Sequence, residues 1–330
     1  MKDETRTITD AHAGLTLAAL VREVLPGTSW SKARDLCRGG RVWVDGVAAT
    51  DPARRMSAGE RVELRLAGPA RREAALTDLI AHLDADVVVV RKPAGLLTVP
   101  FERDDRDTLL ALTRVAVRRI EAGRGRKEGL TLRAVQRLDK ETSGLVVFAR
   151  SVPAQRHLQA QLAAHTVTRR YLAIVHGAAE DAVYETLLVA DRGDGLRGSW
   201  GVFRPARGEP PAEAREAVTR VRVLERLPRA TLVACELATG RQHQIRIHLA
   251  EAGHPLVGET VYVRDWRGPL LPASRPMLHA AVLGFVHPRK EKRLRFEEPP
   301  PADFTAVLER LRPPSLGEGG RERSGEGVRG

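Results

Sequence analysis

Residues 137–148 read Arg-Leu-Asp-Lys-Glu-Thr-Ser-Gly-Leu-Val-Val-Phe. A polar run closing on Gly144 feeds directly into an apolar stretch, the pattern of a loop delivering Asp139 to the mouth of a buried strand. Gly144 permits a tight turn, and Thr142 and Ser143 can hydrogen-bond the loop backbone. Taken alone, the same residues also describe an ordinary polar turn.

Working outward, Asp86-Val87-Val88-Val89-Val90 reads as a second buried strand, and further strands are expected over 145–149, 167–175, 218–224, 230–237 and 282–286. Helices are expected over 107–122, 153–164, 242–252 and 303–311. Strands that come in runs, with helices between them, predict an α+β fold with a mixed or antiparallel sheet over 81–312 rather than a doubly wound one. The Gly-, Pro- and charge-rich segment 191–216 is expected to be a long surface loop. Residues 313–330 carry no apolar anchor and are expected to be a disordered tail.

Upstream, residues 1–14 are expected to form a flexible arm, 15–68 a small module and 69–80 a linker. Leu17, Leu20, Val21, Val24 and Leu25 make one apolar helix stripe, stopped by Pro26-Gly27. Ser31 is positioned to cap a second helix whose Ala33, Leu36 and Cys37 share a face. Val42-Trp43-Val44 then enters an Asp45-Gly46 hairpin, and Val62 to Leu66 closes the unit as a strand. Lys32, Arg34, Arg38 and Arg41 cluster around the second helix and its turn, which is also what an ordinary solvated helix face looks like.

The chain has 330 residues with 54 Lys+Arg against 42 Asp+Glu, a net charge of +12, and only seven of the basic residues are lysine. Such a balance fits a polyanionic partner, and RNA is the expected one. The preference for arginine has a second source in a GC-rich genome, so the sign of the charge informs more than the residue chosen. The two cysteines, Cys37 and Cys235, match no ligand spacing, and the start of the chain lacks a signal-peptide core. With no apolar run near the ~18 residues of a membrane span, a cytoplasmic protein is expected, with no membrane partner and as a monomer. No Walker-type loop is present. The histidines lack ligand spacing, so no metal site is expected.

Two more stretches invite chemistry. In Val167-Thr168-Arg169-Arg170-Tyr171, strand alternation puts Arg169 and Tyr171 on one face, a platform for stacking a base beside a phosphate. The same pattern suits a core tyrosine with a solvated arginine. In Thr239-Gly240-Arg241-Gln242-His243-Gln244-Ile245-Arg246, a helix start would offer free N–H groups, with Ile245 toward the core and Arg246 able to reach a carboxylate. An amphipathic helix with a solvent-facing arginine is the plainer alternative.

Together these stretches resemble the RluA-type pseudouridine synthases, whose ordered motifs are His-Arg-Leu-Asp-x-x-Thr-Ser-Gly, a Lys/Arg-x-Tyr strand and Gly-Arg-Thr-His-Gln-Ile-Arg. Lys92-Pro93-Ala94-Gly95, Gly253-His254-Pro255 and Arg275-Pro276-Met277-Leu278-His279-Ala280 extend the match over residues 81–290. The N-terminal stretch SKARDLCRGGRVWVDG is similar to the S-four-like RNA-binding module. The chain departs from the pattern at Gln136 for His, Arg169 for Lys, Gln242 for Thr and Glu259 for Asp.

The resemblance implies an enzyme that isomerises uridine in structured RNA without a cofactor, with large-subunit ribosomal RNA the first expectation and transfer RNA the second. It implies that Asp139 is the catalytic aspartate, that Tyr171 packs on the target base, and that Arg246 salt-bridges Asp139. Arg137 would fill the gap left by the flipped base. Arg169, Arg241, His243, Gln244, Ile245 and Leu278 are expected to bind substrate, and Lys32, Arg34, Arg38 and Arg41 to bind RNA. Tyr171 is also a candidate to remove the carbon-5 proton. Two alternatives stand beside this: a catalytically silent RNA-binding assembly factor, and a glycoside-type hydrolase pairing Asp139 with Glu141.

Overall fold

The computed structural model of the chain describes residues 4–45, 47–64, 75–102, 105, 107–125, 131–202 and 208–313. The expected tail from residue 314 on, residues 69–74 of the expected linker, Gly46 of the hairpin, and Arg65 and Leu66 of the closing strand lie outside these.

The N-terminal module contains β1 (Glu4–Thr7), α1 (Leu17–Val24), α2 (Trp30–Arg38), β2 (Val42–Val44), β3 (Val47–Ala48) and β4 (Arg61–Leu64), with the strands ordered β1-β4-β2-β3. The stripe of α1 buries Leu17, Leu20 and Val21 against Ala33 and Cys37 of α2. Two expectations are corrected. The cap of α2 is Ser29, whose hydroxyl accepts the Lys32 N–H at 3.2 Å; Ser31 already lies inside the helix. Residues 4–7 are no flexible arm but an edge strand antiparallel to β4. Their four side chains are all exposed, so apolar periodicity was silent. Backbone pairing and the buried Ile8, bonded both ways to Glu60 and Gly59, hold the strand in place.

The larger unit opens with α3 (Ala75–Asp78), so the second half of the expected linker is ordered. It continues through β5 (Ile80–Leu83), β6 (Val87–Lys92), α4 (Leu109–Gly123), β7 (Arg133–Ala134), β8 (Ser143–Ala149) and α5 (Val152–Ala163). Then come β9 (Thr168–His176), β10 (Ala182–Val189), β11 (Gly198–Ser199), β12 (Arg215–Arg226) and β13 (Ala230–Leu237). The last elements are α6 (Gln244–Glu251), β14 (Leu278–Val286), β15 (Arg293–Glu297) and α7 (Ala302–Leu311).

Among the described residues, eleven strands form one sheet ordered β11-β10-β12-β13-β9-β14-β8-β6-β5, with β7 on β8 and β15 on β14. Only β14 and β8 pair in parallel, so the sheet is mixed and the fold α+β. Both faces are covered at its centre. Val88 and Val90 of β6 join a core with α4 and α6, while Val87 and Val89 join another with α5. That double burial is why β6 and β8 read as unbroken apolar runs.

The segment expected as a surface loop is partly built in. Arg192 is buried among Asp194, Glu251 and Asp265, and Ser199 N–H donates to Glu251 at 2.9 Å. Residues 190–200 therefore strap across the end of α6, and residues 203–207 lie outside the described set.

Candidate active site

Asp139 sits in the loop entering β8, and every carbonyl from Leu138 to Thr142 is held. Thr98 Oγ1 donates to Leu138 O at 2.9 Å, and Thr142 N–H donates to Asp139 O at 3.1 Å. Lys140 O accepts from Gly95 N at 2.9 Å and from Lys92 Nζ at 2.7 Å. Glu141 O accepts from Arg275 at 3.1 Å, and Thr142 O from Lys92 Nζ at 2.7 Å. Five consecutive carbonyls, 138 to 142, are thus engaged, and the loop has little freedom left. Gly144, at φ +116, completes it: a Cβ there would collide with the Ala280 carbonyl where β8 and β14 run side by side. The Asp139 side chain, 27% exposed, points into a cleft of about 850 Å³.

The opposite wall is the start of α6. His243 takes a left-handed conformation (φ 58, ψ 15) ahead of the first helical residue, Gln244. Its Nε2 lies 3.9 Å from Asp139 Oδ1, and its Nδ1 is 2.8 Å from the Tyr262 hydroxyl. Burial lowers the His243 pKa, and although Asp139 pulls it up the net shift is downward, toward a neutral imidazole.

Arg246 does not make the expected salt bridge to Asp139. Its Nε and Nη2 donate to the two oxygens of Glu259, each at 2.7 Å, and its guanidinium lies 5.2 Å from the Tyr262 ring centre. Burial pushes Glu259 up, but the two Arg246 bonds and the amides of Thr260 and Val261 outweigh it and hold the carboxyl below its usual range. Burial likewise works against Arg246, while Glu259 first and Asp139 second raise it overall. The glutamate that departs from the family pattern takes the Nε and Nη2 edge of Arg246, which in this structure reaches Asp139 as a nearby charge and not as a bonded partner.

Tyr171, 8% exposed, packs with Leu138, Ile245 and Leu278 and lines the cleft. Burial pushes its phenol up to about 12; the Arg169 charge pulls the other way, and the Asp139 charge adds a smaller upward push. A phenol so placed stays protonated at neutral pH, so it could take the carbon-5 proton only after giving up its own.

Two expected substrate ligands bond to the protein itself, Arg169 through one nitrogen and Gln244 through its whole amide. Arg169 is buried, and its Nη2 donates to Ala238 O at 2.6 Å and to Leu237 O at 3.3 Å, so it braces the turn before α6. Gln244 is spent completely: its Oε1 accepts from Thr239 Oγ1 and Arg241 N, and its Nε2 donates to Val218 O and Thr219 Oγ1. Gln244 fixes the shape of the site, while Arg169 also lines the cleft and keeps a buried Nε without a partner among the described residues. Ile245 and Leu278 form apolar wall, while Arg137 and Arg241 stand exposed at the rim, the latter with its Nε on Glu216 O. Glu141 does not line the cleft, so a paired-acid hydrolase lacks its second carboxylate there. On the N-terminal module Lys32, Arg34 and Arg38 are exposed and Arg41 is half-buried.

Sequence reasoning missed the roles of Lys92, Arg275 and Tyr262, although the first two open the Lys-Pro-Ala-Gly and Arg-Pro-Met-Leu-His-Ala stretches. The cluster Asp84, Asp86 and His287 has metal-ligand spacing. Its donors are already taken by His82, Lys290, Arg289 and the amides of Asp86 and Val87.

Comparison with known proteins gives two family matches: RNA pseudouridylate synthase over residues 86–251, and S4 domain over residues 16–62. The ribosomal large subunit pseudouridine synthase D of Zymomonas mobilis is 32% identical, covering 94% of this chain and 98% of its own length. That of Nitrosomonas europaea is 34% identical, covering 93% and 87%. The structure of human RNA pseudouridylate synthase domain containing 4 superposes with a TM-score of 0.57 at 25% identity, covering 72% of this chain and 94% of that one.

Proposed function

The chain belongs to the RNA pseudouridylate synthase family, and from that premise we propose that it isomerises uridines of large-subunit ribosomal RNA with Asp139 as the catalytic carboxylate. The observation that carries the residue assignment is the Asp139 side chain held in the cleft by a loop whose five carbonyls are all bonded, facing His243 and the Tyr171 ring wall. The ribosomal substrate is supported by two relatives bearing that name across nearly the whole chain.

The reaction breaks the bond from uracil N1 to ribose C1′, turns the base and forms a bond from C5 to C1′. The C5 proton leaves and N1 gains one, so nothing is oxidised and no group is added. Asp139 either attacks C1′ or stabilises positive charge developing on the sugar, the two roles carboxylates fill in glycoside chemistry. It also lies in the same cleft as the C5 proton to be removed. The Arg246–Glu259 pair is nearly neutral as a unit, so it stiffens the wall without cancelling the Asp139 charge. Tyr171, Ile245 and Leu278 give the everted base an apolar seat. Everting it costs a few kcal/mol, and stacking returns ~1–3 kcal/mol. Exposed Arg137, Lys140 and Arg241 at the rim, with Lys32, Arg34 and Arg38 on the S4 module, supply phosphate contacts.

Site-by-site pseudouridine mapping in cells with and without the gene tests the substrate. Loss of one or more pseudouridines from large-subunit ribosomal RNA is expected. If those all persist while a transfer RNA site disappears, the substrate assignment is wrong.

A further inference from the structure

The wall of the cleft opposite α6 carries a phenylalanine that the fold leaves outside. Phe101 is 84% exposed, far more than any of the other large exposed apolar residues described, yet it lines the same cleft as Asp139. Isolated apolar side chains on a surface are common and mean little. The position of this one, and the way its backbone is held, are what matter.

The chain approaches Phe101 from the catalytic loop. Thr98 Oγ1 bonds both the carbonyl and the N–H of Leu138, the residue before Asp139. Leu97 and Thr98 carbonyls accept the first amides of α4, and Val99 packs on the main core. From Thr98 to Phe101 is three residues, so the ring stands within roughly 10 Å of chain from that anchor. Beyond Pro100 the backbone turns, and the Asp105 carboxylate accepts the N–H groups of both Phe101 and Glu102, at 2.9 and 2.8 Å. Those two bonds hold the Asp105 carboxyl below its ordinary range, and Lys140, next to Asp139, adds to the effect. The ring is therefore offered from a fastened turn beside the catalytic loop.

At about 850 Å³ the cleft is near the upper end of small-ligand sites, roughly 300–1,000 Å³. It is larger than one everted base with its ribose. Cationic Arg137 and Lys140 stand exposed on the same side, suited to phosphates rather than to a second apolar chain. An unpaired RNA base has an apolar face, needs no particular hydrogen-bond partner, and is attached to phosphates that such a rim attracts.

We propose that Phe101 is a second base-binding subsite at the cleft mouth, stacking an unpaired base that neighbours the everted uridine. This rests on the reading of the chain as a uridine-isomerising enzyme with its site at Asp139. Holding the neighbour unstacked keeps the helix from reclosing on the gap, so the contact acts on RNA capture and base eversion rather than on bond rearrangement.

The test uses the full chain and an unmodified transcript of the large-subunit ribosomal RNA made with [5-³H]uridine, which loses tritium when C5 is joined to the sugar. Phe101→Ala and Phe101→Leu should each lower kcat/KM about tenfold, while Phe101→Trp stays within about twofold. The leucine variant keeps apolarity and loses only the ring. In a second readout, the indole introduced by Phe101→Trp should be quenched when RNA is added, over and above any quenching in the wild-type chain. Wild-type kcat/KM in Phe101→Leu, or no added quenching in Phe101→Trp, overturns the subsite. A wild-type chain that releases no tritium defeats the functional reading instead, and the quenching measurement still decides the role of Phe101.

Discussion

Lys92 offers a prediction whose size and sign both come from the structure. The residue is 2% exposed, and its ammonium donates to the carbonyls of Pro93, Lys140 and Thr142. Burial pushes its pKa down from 10.5 to about 7, with Glu141 the main group resisting. A folded pKa below the unfolded one means that the unfolded chain binds more protons between those limits, so this group makes stability rise with pH from about 7 to 10.5. Linkage over pH 7 to 9 gives about 2 kcal/mol from this residue alone. Lys92→Met removes the desolvated charge and also strands the Pro93 and Thr142 carbonyls, while Lys140 O keeps the Gly95 N–H. A stranded carbonyl costs about 1–3 kcal/mol, similar in size to the charge penalty removed, so stability at pH 7 should stay within about 2 kcal/mol of wild type. Urea unfolding of both proteins at pH 7 and 9 is the assay. Cys37, Cys235 and Tyr171 are present in both and cancel. The wild type should gain about 2 kcal/mol on Lys92→Met over that interval; parallel pH dependences would refute the argument. With Thr142 O released and Lys140 O held by the Gly95 N–H alone, kcat should fall at least tenfold while RNA affinity holds.

Other consequences are equally open to measurement. Gly144→Ala combines a left-handed backbone with a clash against Ala280 O, so denaturant melts should show a drop of more than about 2 kcal/mol; a near-neutral result would mean that β8 and β14 approach less closely there. Glu259→Gln leaves Arg246 as a poorly paired buried cation and should cost about 3 kcal/mol, with Glu259→Asp less damaging; equal effects of the two would show that charge at this position is irrelevant. Replacing Lys32, Arg34 and Arg38 together by alanine should weaken binding to structured RNA and make log Kd less steep in log salt, by about one for each phosphate no longer neutralised, and an unchanged slope would remove the S4 module from the interface.

Long elements were legible because burial marks their sequence, as unbroken apolar runs in strands covered on both faces and as one apolar stripe in helices. β8, β9 and β13 fall within a residue or two of where the pattern puts them, and so do α4, α5 and α7. What escaped was held by backbone or by charge. β1 has four exposed polar side chains and β10 buries just Leu188 and Val189 fully, whereas the five residues of β15 alternate strictly and their pattern was overlooked. The strap around Arg192 looked like a solvated loop because a buried ion cluster has the composition of an exposed one. At the site, the motif residues do converge on one cleft, since ordered loops on a shared sheet can deliver them nowhere else. Partner choice was not legible. An arginine on α6 could reach Asp139 or Glu259 equally well on paper, and only the bidentate fit decided it. Nor does sequence tell a core phenylalanine from Phe101.

The central claim is that the Asp139 carboxylate, and not merely the cleft that presents it, carries the isomerisation. Tritium release from [5-³H]uridine-labelled ribosomal RNA by purified Asp139→Asn, with RNA binding measured on the same preparation, tests it most directly. The account predicts no detectable release alongside affinity within about threefold of wild type, since a side chain of the same shape has lost only its charge and the loop bonds are all to backbone. Turnover at a rate comparable to the wild type would contradict it.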